Sequence, residues 1–238
     1  MGTDMWNQQV AQGYDATSAR MYAPEVLGPT VDFLARRAGR GPVLEFAIGT
    51  GRVALPLAAR GVPVAGIELS EPMAAELRNQ PGGGDVPVTI GDMATTRAPG
   101  EFRLVYLVYN AITCLLTQDQ QVACFRNAAR HLRPGGRLVI EVFVPDLQRL
   151  PPGETARPFQ VGQHHLGFDT FDLANQRLVS HHCRIKDGAA RTFQSPQRFV
   201  WPSELDLMAR LTGLEVRERW ADWNQTPFTA ASTSHVSV

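Results

Sequence analysis

The chain has 238 residues, 44% of them hydrophobic and 19% charged, the composition of an ordinary globular protein able to bury a complete core. Lys plus Arg and Asp plus Glu number 23 each, with no block of like charge, which argues against a nucleic-acid partner or an acidic-membrane anchor. Cys114, Cys124 and Cys183 are odd in number and sit in apolar or strand-like contexts, so they point to a reducing cytoplasm rather than a disulfide framework.

The first residues lack the basic start and apolar run of a signal peptide, and no apolar run approaches the ~18 residues of a membrane span. Residues 1–28 are polar with scattered aromatics (Trp6, Tyr14, Tyr22) and predict one or two short helices, either packed on the main body or closing over a ligand. Pro29 opens a helix with Val31, Leu34, Ala35 and Ala38 at helical spacing, stopped by Gly39 and Gly41. An apolar strand (Val43, Leu44, Phe46) then meets a glycine turn, Gly49-Thr50-Gly51, and a helix over 52–60. Two glycines let the backbone turn sharply and come close to a ligand, while the helix start directs unpaired N–H groups back at the turn.

A second strand spans 62–69. Ser70 caps the next helix, with Glu71 and Pro72 in its first turn and Met73 and Leu77 on one face. After a turn over 81–85 come a third strand (86–90), closed by Gly91-Asp92-Met93, and a nearly all-apolar fourth (102–109). Thr117 to Gln120 reads as a capping box, and its helix directs Val122, Phe125, Ala128, Ala129 and Leu132 inward. A turn over 133–136 leads into a fifth strand, 138–144.

This alternation of strands and helices with short joins predicts an α/β fold, a Rossmann-like, doubly wound, mostly parallel seven-stranded sheet. From about 159 to 200 the period becomes two, with turns at Asn175-Gln176 and Asp187-Gly188, predicting an inserted antiparallel region against one side of the sheet. Pro202-Ser203 caps a helix carrying Leu205, Met208 and Leu211 inward and ended by Gly213; strands at 214–223 and 232–238 close the chain. Residues 1–238 are read as one domain: N-terminal helices or lid (1–41), cofactor-binding core (42–146), antiparallel cap (147–201), final helix and strands (202–238).

Three acids recur at the ends of the first three strands: Glu45, Glu68 and Asp92. Ligands of an open α/β sheet bind beyond those ends. An acid after the second strand suits ribose hydroxyls, one after the third an adenine amino group, and Glu45 suits either the amides of the turn or a cationic ligand. Gly49, Gly51 and Ala54 also pass as a loose dinucleotide fingerprint, so a nicotinamide cofactor and S-adenosylmethionine compete; the absence of Gly-Lys-Ser/Thr excludes a P-loop.

The run Val43-Leu44-Glu45-Phe46-Ala47-Ile48-Gly49-Thr50-Gly51-Arg52 resembles the first motif of class I S-adenosylmethionine-dependent methyltransferases. Gly66 to Met73 resembles their second motif, Gly91-Asp92-Met93 the third, and Leu132 to Glu141 the entry to their fifth strand. The later antiparallel region is similar to that of small bacterial natural-product methyltransferases, amino-sugar N-methyltransferases among them. The resemblance implies that Glu45, Ala47, Gly49, Thr50, Gly51 and Arg52 surround the methionine portion. Glu68 holds the ribose, Leu69, Met73, Asp92 and Met93 frame the adenine, and Tyr109 and Asn110 lie near the methyl group. Ile48 departs from the family by standing where a small residue is common. The fourth strand also lacks the Asn/Asp-Pro-Pro-aromatic signature, which argues against adenine, cytosine and glutamine as acceptors.

Methyl transfer from a sulfonium is governed by positioning, with a base needed only to free the acceptor's lone pair. Candidates are Tyr14, Tyr22, Asp146, His164, His165, His181 and His182, with Tyr14, Tyr22, His165 and His182 retained as catalytic candidates. Tyr22, Asn110, Arg198 and Trp201 are the acceptor-side candidates. No cluster with zinc-ligand spacing is present, so no metal is expected. The expected function is methyl transfer from S-adenosylmethionine to O or N of a small molecule by a cytoplasmic monomer or homodimer. The rivals are a non-catalytic cofactor-binding regulatory module and a nicotinamide-dependent oxidoreductase.

Overall fold

A computed structural model describes residues 6–186 and 188–238. Helices α1 (Gln8–Thr17) and α2 (Pro24–Ala38) precede strand β1 (Val43–Phe46). Then follow α3 (Ala54–Ala59), β2 (Val64–Glu68), α4 (Glu71–Asn79), β3 (Val88–Ile90), β4 (Phe102–Leu107), α5 (Gln118–His131) and β5 (Leu132–Phe143). Four strands come next: β6 (Ala156–Val161), β7 (His165–Asp172), β8 (Arg177–Lys186) and β9 (Ala189–Arg198). Helix α6 (Pro202–Leu211), β10 (Arg219–Trp220) and β11 (Ser234–Ser237) end the chain.

The main sheet has seven strands in the order β10-β11-β5-β4-β1-β2-β3. Strands β1 to β5 run parallel, and β11 lies antiparallel between β5 and β10. The chain winds outward from β1 through β2 to β3, then restarts at β4 on the other side. That reversal opens a crevice beyond the carboxyl ends of β1 and β4.

Side chains alternate across the sheet because successive residues of a strand face opposite ways. Leu44, Phe46, Ile67, Val105 and Leu107 meet Phe125 and Ala128 of α5 and Leu205 and Met208 of α6. Val43, Leu104 and Val139 meet Phe33 and Leu34 of α2, Leu57 of α3 and Leu77 of α4. All four residues of β1 are buried, as a strand covered on both faces must be.

Several expectations need correction. Helix α2 starts at Pro24, and Pro29 lies inside it; either proline suits a helix start, and the earlier one occupies the first turn. The turn expected at 133–136 is absorbed into β5, where the pairing register shifts between Phe102↔Leu132 and Leu104↔Arg137. The antiparallel region expected after the fifth strand is present as a four-stranded sheet, β6-β7-β8-β9. Its turn at Asn175-Gln176 is present, with Gln176 at φ 53°, whereas Asp187 of the other expected turn lies outside the described residues, as do the first five residues. Trp201, not Pro202-Ser203, occupies the cap of α6, and Leu211 is 71% exposed because it lies off the stripe that Leu205 and Met208 bury.

Candidate active site

The glycine turn sits at the mouth of the crevice. Gly49 and Gly51 have φ of 59° and 85°, a region costly for residues with a Cβ. Glu68, at the end of β2, holds this turn: its Oε2 accepts from the Gly49 amide at 2.8 Å and its Oε1 from the Ser70 amide at 2.9 Å. Anchoring of the Gly49 amide thus falls to Glu68. Ile48 does not crowd the turn. It is 3% exposed and packs over Gly66 of β2, where a Cβ would lie 2.5 Å from its Cδ1.

Glu45 is 2% exposed and accepts from the phenol of Tyr106 at 2.8 Å. The two residues face each other in the β1–β4 register, on the side of the sheet that carries Val43 and Leu104. Burial pushes the Glu45 carboxyl up to about 8, against the opposing pull of Tyr106 and Arg52. Among the described residues it makes no ion pair.

The N-terminal segment lies across the turn. Thr50 Oγ1 donates to Asp15 Oδ1 at 2.7 Å, Tyr22 donates to the same oxygen, and Gln80 Nε2 donates to Asp15 Oδ2 at 3.2 Å. Ser70 Oγ donates to the Trp6 carbonyl at 2.6 Å. These bonds tie the N-terminal segment to the turn and to the start of α4. Burial pushes the Tyr14 hydroxyl up to about 12, and burial with the Asp15 hydrogen bond pushes Tyr22 higher still. Both phenols therefore keep their proton at neutral pH, and Tyr22 donates its own to Asp15.

Beyond β4, Tyr109 and Asn110 have φ of 53° and 62°, an unusual pair for residues with a Cβ. Glu141 of β5 accepts from the Tyr109 amide at 2.7 Å and from Trp223 Nε1 at 2.9 Å. Asn110 Oδ1 accepts from the Phe143 amide at 2.8 Å. The Arg52 guanidinium lies 5.3 Å from the centre of the Tyr109 ring. Past β3, Asp92 accepts from the Ala94 amide at 2.8 Å, and Asn127 of α5 donates to the Met93 carbonyl at 2.9 Å. Met73 is buried and approaches Gly49.

Other candidates lie apart from the turn. His165 and His182 stack on each other in the second sheet, ring nitrogens 3.0 Å apart, beside Phe159 and Phe193. His181 faces the opposite side, stacked on Phe168. Desolvation holds His182 down at about 4. Arg198 is 5% exposed, and its guanidinium is taken up by Gln121, Gln176 at 2.9 Å and Glu204 at 2.7 Å. That clasp joins β9 to α5 and α6. Asp146 pairs with Arg149 at 3.0 Å, and Trp201 is 38% exposed at the start of α6. Among the described residues no group of three or more His, Cys, Asp or Glu is placed to hold a metal ion.

Asp15, Gln80, Tyr106 and Glu141 are the site residues that sequence reasoning passed over. Two left a signal: Tyr106 is a phenol in a nearly all-apolar strand, and Glu141 is a further acid near the end of a parallel strand.

A doubly wound sheet with a glycine turn at its switch point and acids beyond three adjacent strands defines a Rossmann-like protein that binds a nucleoside cofactor. A family profile described as a methyltransferase domain matches residues 43–136. The chain is similar to the CcbJ methyltransferase of Streptomyces caelestis, with 38% identity, 88% of this chain and 86% of that one covered, and a TM-score of 0.80. It is 27% identical to the cypemycin N-terminal methyltransferase of a Streptomyces species, over 94% of this chain and 96% of that one. S-adenosylmethionine-bound CalS10 of Micromonospora echinaspora, an amino pentose methyltransferase, shares the fold at 22% identity, with 94% and 95% covered and a TM-score of 0.68. The chain belongs to the class I S-adenosylmethionine-dependent methyltransferases. It is an enzyme, and the oxidoreductase and regulatory-module readings fall.

Proposed function

We propose that this enzyme methylates a nitrogen or oxygen of a small molecule in the cytoplasm, and that an amine is the first acceptor class to test. The carrying observation is the buried Glu45 carboxyl, which has no cation of its own beside a glycine turn: it suits a ligand that brings an ammonium. S-adenosylmethionine supplies an electrophilic methyl group on a sulfonium. Glu45, Ala47, Gly49, Thr50, Gly51 and Arg52 would surround its methionine portion, Glu68 its ribose, and Leu69, Met73, Asp92 and Met93 its adenine. Nothing in the donor set conflicts with that ligand, since acids and backbone groups predominate and no phosphate cradle is required.

The acceptor would enter between the N-terminal segment and the antiparallel sheet, over Tyr109 and Asn110. Tyr14, held protonated, would orient it by donating a hydrogen bond, and Tyr22, whose own proton goes to Asp15, would line the entrance, while the N-terminal segment excludes water. Residues 42–146 form the cofactor core, 147–201 the acceptor-side cap, and 202–238 complete the sheet. A cavity of about 400 Å³ opens beside the exit of β5, lined by Phe143, Asp146, Phe159, Phe171 and Phe199 among others, and offers room for the acceptor's apolar part. The amine acceptor named for the cypemycin relative supports nitrogen as the atom methylated. In-line positioning supplies most of the acceleration, so loss of any one polar group should reduce rather than abolish turnover.

Titration calorimetry with S-adenosylmethionine, its demethylated product and NAD should show binding of the first two only. Glu68→Ala removes a charged acceptor of two amides, so binding should weaken roughly 10-fold or more. Incubation of the loaded enzyme with primary amines, amino sugars and phenols, read by mass, then tests the acceptor. Methylation of phenols alone would overturn the amine reading.

A further inference from the structure

The antiparallel sheet turns one face toward the exit of β5. Arg157, Asp169 and Ser180 stand opposite one another across β6, β7 and β8, so they share that face. Two residues further along, Phe171 and Leu178 pair on the same face and join Phe143 and Phe199 in lining the cavity of about 400 Å³. Phe159 forms another wall. Its ring lies on Gly167, where a Cβ would come 2.3 Å from Cε2, and meets His182 edge-on with ring centres 5.1 Å apart. Asp169, half-buried, lines this cavity among four phenylalanines.

The other charges at the cavity answer each other. Asp146 is paired with Arg149 at 3.0 Å and with Arg157 at 3.8 Å. Asp169 makes no ion pair among the described residues, although Arg157 stands opposite it in the register. Its partner is an uncharged one: Ser180 Oγ donates to Oδ1 at 2.7 Å. His181 also acts on it, but from the opposite face, where it is stacked on Phe168. Burial raises the Asp169 carboxyl, against the pull of Ser180, Arg157 and His181. An acid without a counter-ion repels an anion and gains most from a cation, and phenyl faces attract a cation too. An apolar cavity with one such group is the chemistry of a site for an organic cation.

We infer that Asp169 is a specificity-determining residue for the methyl acceptor: it holds a cationic nitrogen of the acceptor, remote from the atom that is methylated, while the phenylalanines enclose the apolar body between the two. The inference rests on the reading that this cavity receives the acceptor and that Asn110 faces the methyl group; Asn110 Oδ1 accepts from the amide of Phe143, a cavity residue, at 2.8 Å. A nitrogen held as a cation has no lone pair to attack with. The preferred acceptor therefore has two polar ends, a cation on Asp169 and an uncharged nitrogen or oxygen nucleophile at Asn110.

The test uses benzylammonium, benzyl alcohol and benzoate, which share a ring and differ in charge, titrated into the whole enzyme at pH 7 and followed by NMR. Wild type should bind benzylammonium about 10-fold more tightly than benzyl alcohol, and benzoate most weakly. Asp169→Asn keeps the size of the side chain and an oxygen for Ser180. It should remove the preference for the cation and leave benzyl alcohol unaffected, with thermal midpoint and S-adenosylmethionine affinity as in wild type. Phe159→Ala should weaken benzylammonium and benzyl alcohol together. With p-xylylenediamine added to the acceptor screen, it should be methylated at lower KM than benzylamine, and Asp169→Asn should raise that KM about 10-fold with little change in kcat. Equal affinity for the three probes, binding of none, or a cation preference that survives Asp169→Asn would overturn the inference and leave the proposed function standing. Turnover of benzylamine at the lower KM would overturn it as well. A cation preference lost in Asp169→Asn, with no amine methylated, would support the Asp169 site and count against nitrogen as the methylated atom.

Discussion

Arg198 shows how a single side chain changes meaning once its surroundings are known. In sequence it is an acceptor-side candidate with Trp201; in the fold its guanidinium joins Gln121, Gln176 and Glu204 in a buried clasp between β9, α5 and α6. Removing one partner of such a group leaves the others without compensation. Arg198→Ala should lower stability by about 3–5 kcal/mol, seen as a drop in urea midpoint, and leave the dissociation constant for S-adenosylmethionine unchanged. Unaltered stability with a tenfold rise in KM for the acceptor would return Arg198 to the acceptor site. Glu45 and Glu68 divide differently from their similar sequence settings. Glu68 accepts from two backbone amides, while Glu45 accepts from the Tyr106 phenol.

At the scale of elements, the first turn depends on how tightly β1 and β2 approach. Ile48 lies over Gly66 with no space for a Cβ. Gly66→Ala should therefore destabilise by roughly 1–3 kcal/mol through overpacking, and Ile48→Ala introduced alongside should recover much of the loss in thermal midpoint. Absence of rescue would show that the backbone of β2, not the Ile48 side chain, sets the limit. Strand β11 carries a second test. His235 is fully buried, its Nε2 has no hydrogen-bond partner, and desolvation holds it down at about 4. Between about 4 and its ordinary 6.5 the unfolded chain binds a proton that the folded chain does not. Stability from this group is thus complete above 6.5 and lost as pH falls toward 4, by about 2–3 kcal/mol. Denaturant midpoints across that window should fall in wild type and change less in His235→Asn, measured against each protein's own value at pH 7.5.

At the scale of the molecule, the two halves of the sheet meet at the crevice, and the N-terminal segment crosses it. One carboxylate, Asp15, links that segment to the turn through Thr50, to Tyr22 and to Gln80. Cofactor should tighten this cover, so S-adenosylmethionine should slow proteolysis within residues 6–22. Asp15→Ala should lose most of that protection, and its cofactor binding should weaken several-fold. Equal protection in wild type and variant would mean that the segment is held by its apolar contacts, such as Trp6 against Tyr14, instead.

The alternation of short apolar runs with capped helices determined the doubly wound sheet, and the spacing of Glu45, Gly49, Gly51, Glu68 and Asp92 set the glycine turn and the acids at the carboxyl ends of β1 to β3. These signals are local: periodicity, caps and glycines act within a few residues of themselves, so they survive in the linear chain. Tertiary structure alone decided which acid holds the turn, that Tyr106 meets Glu45, that Asp15 reaches Thr50, and that the antiparallel strands form a sheet of their own. Each of those depends on strand order and register, which bring together residues as distant as Glu45 and Tyr106. A side chain's partners there are set by the packing of the whole core, and no window of sequence contains that information.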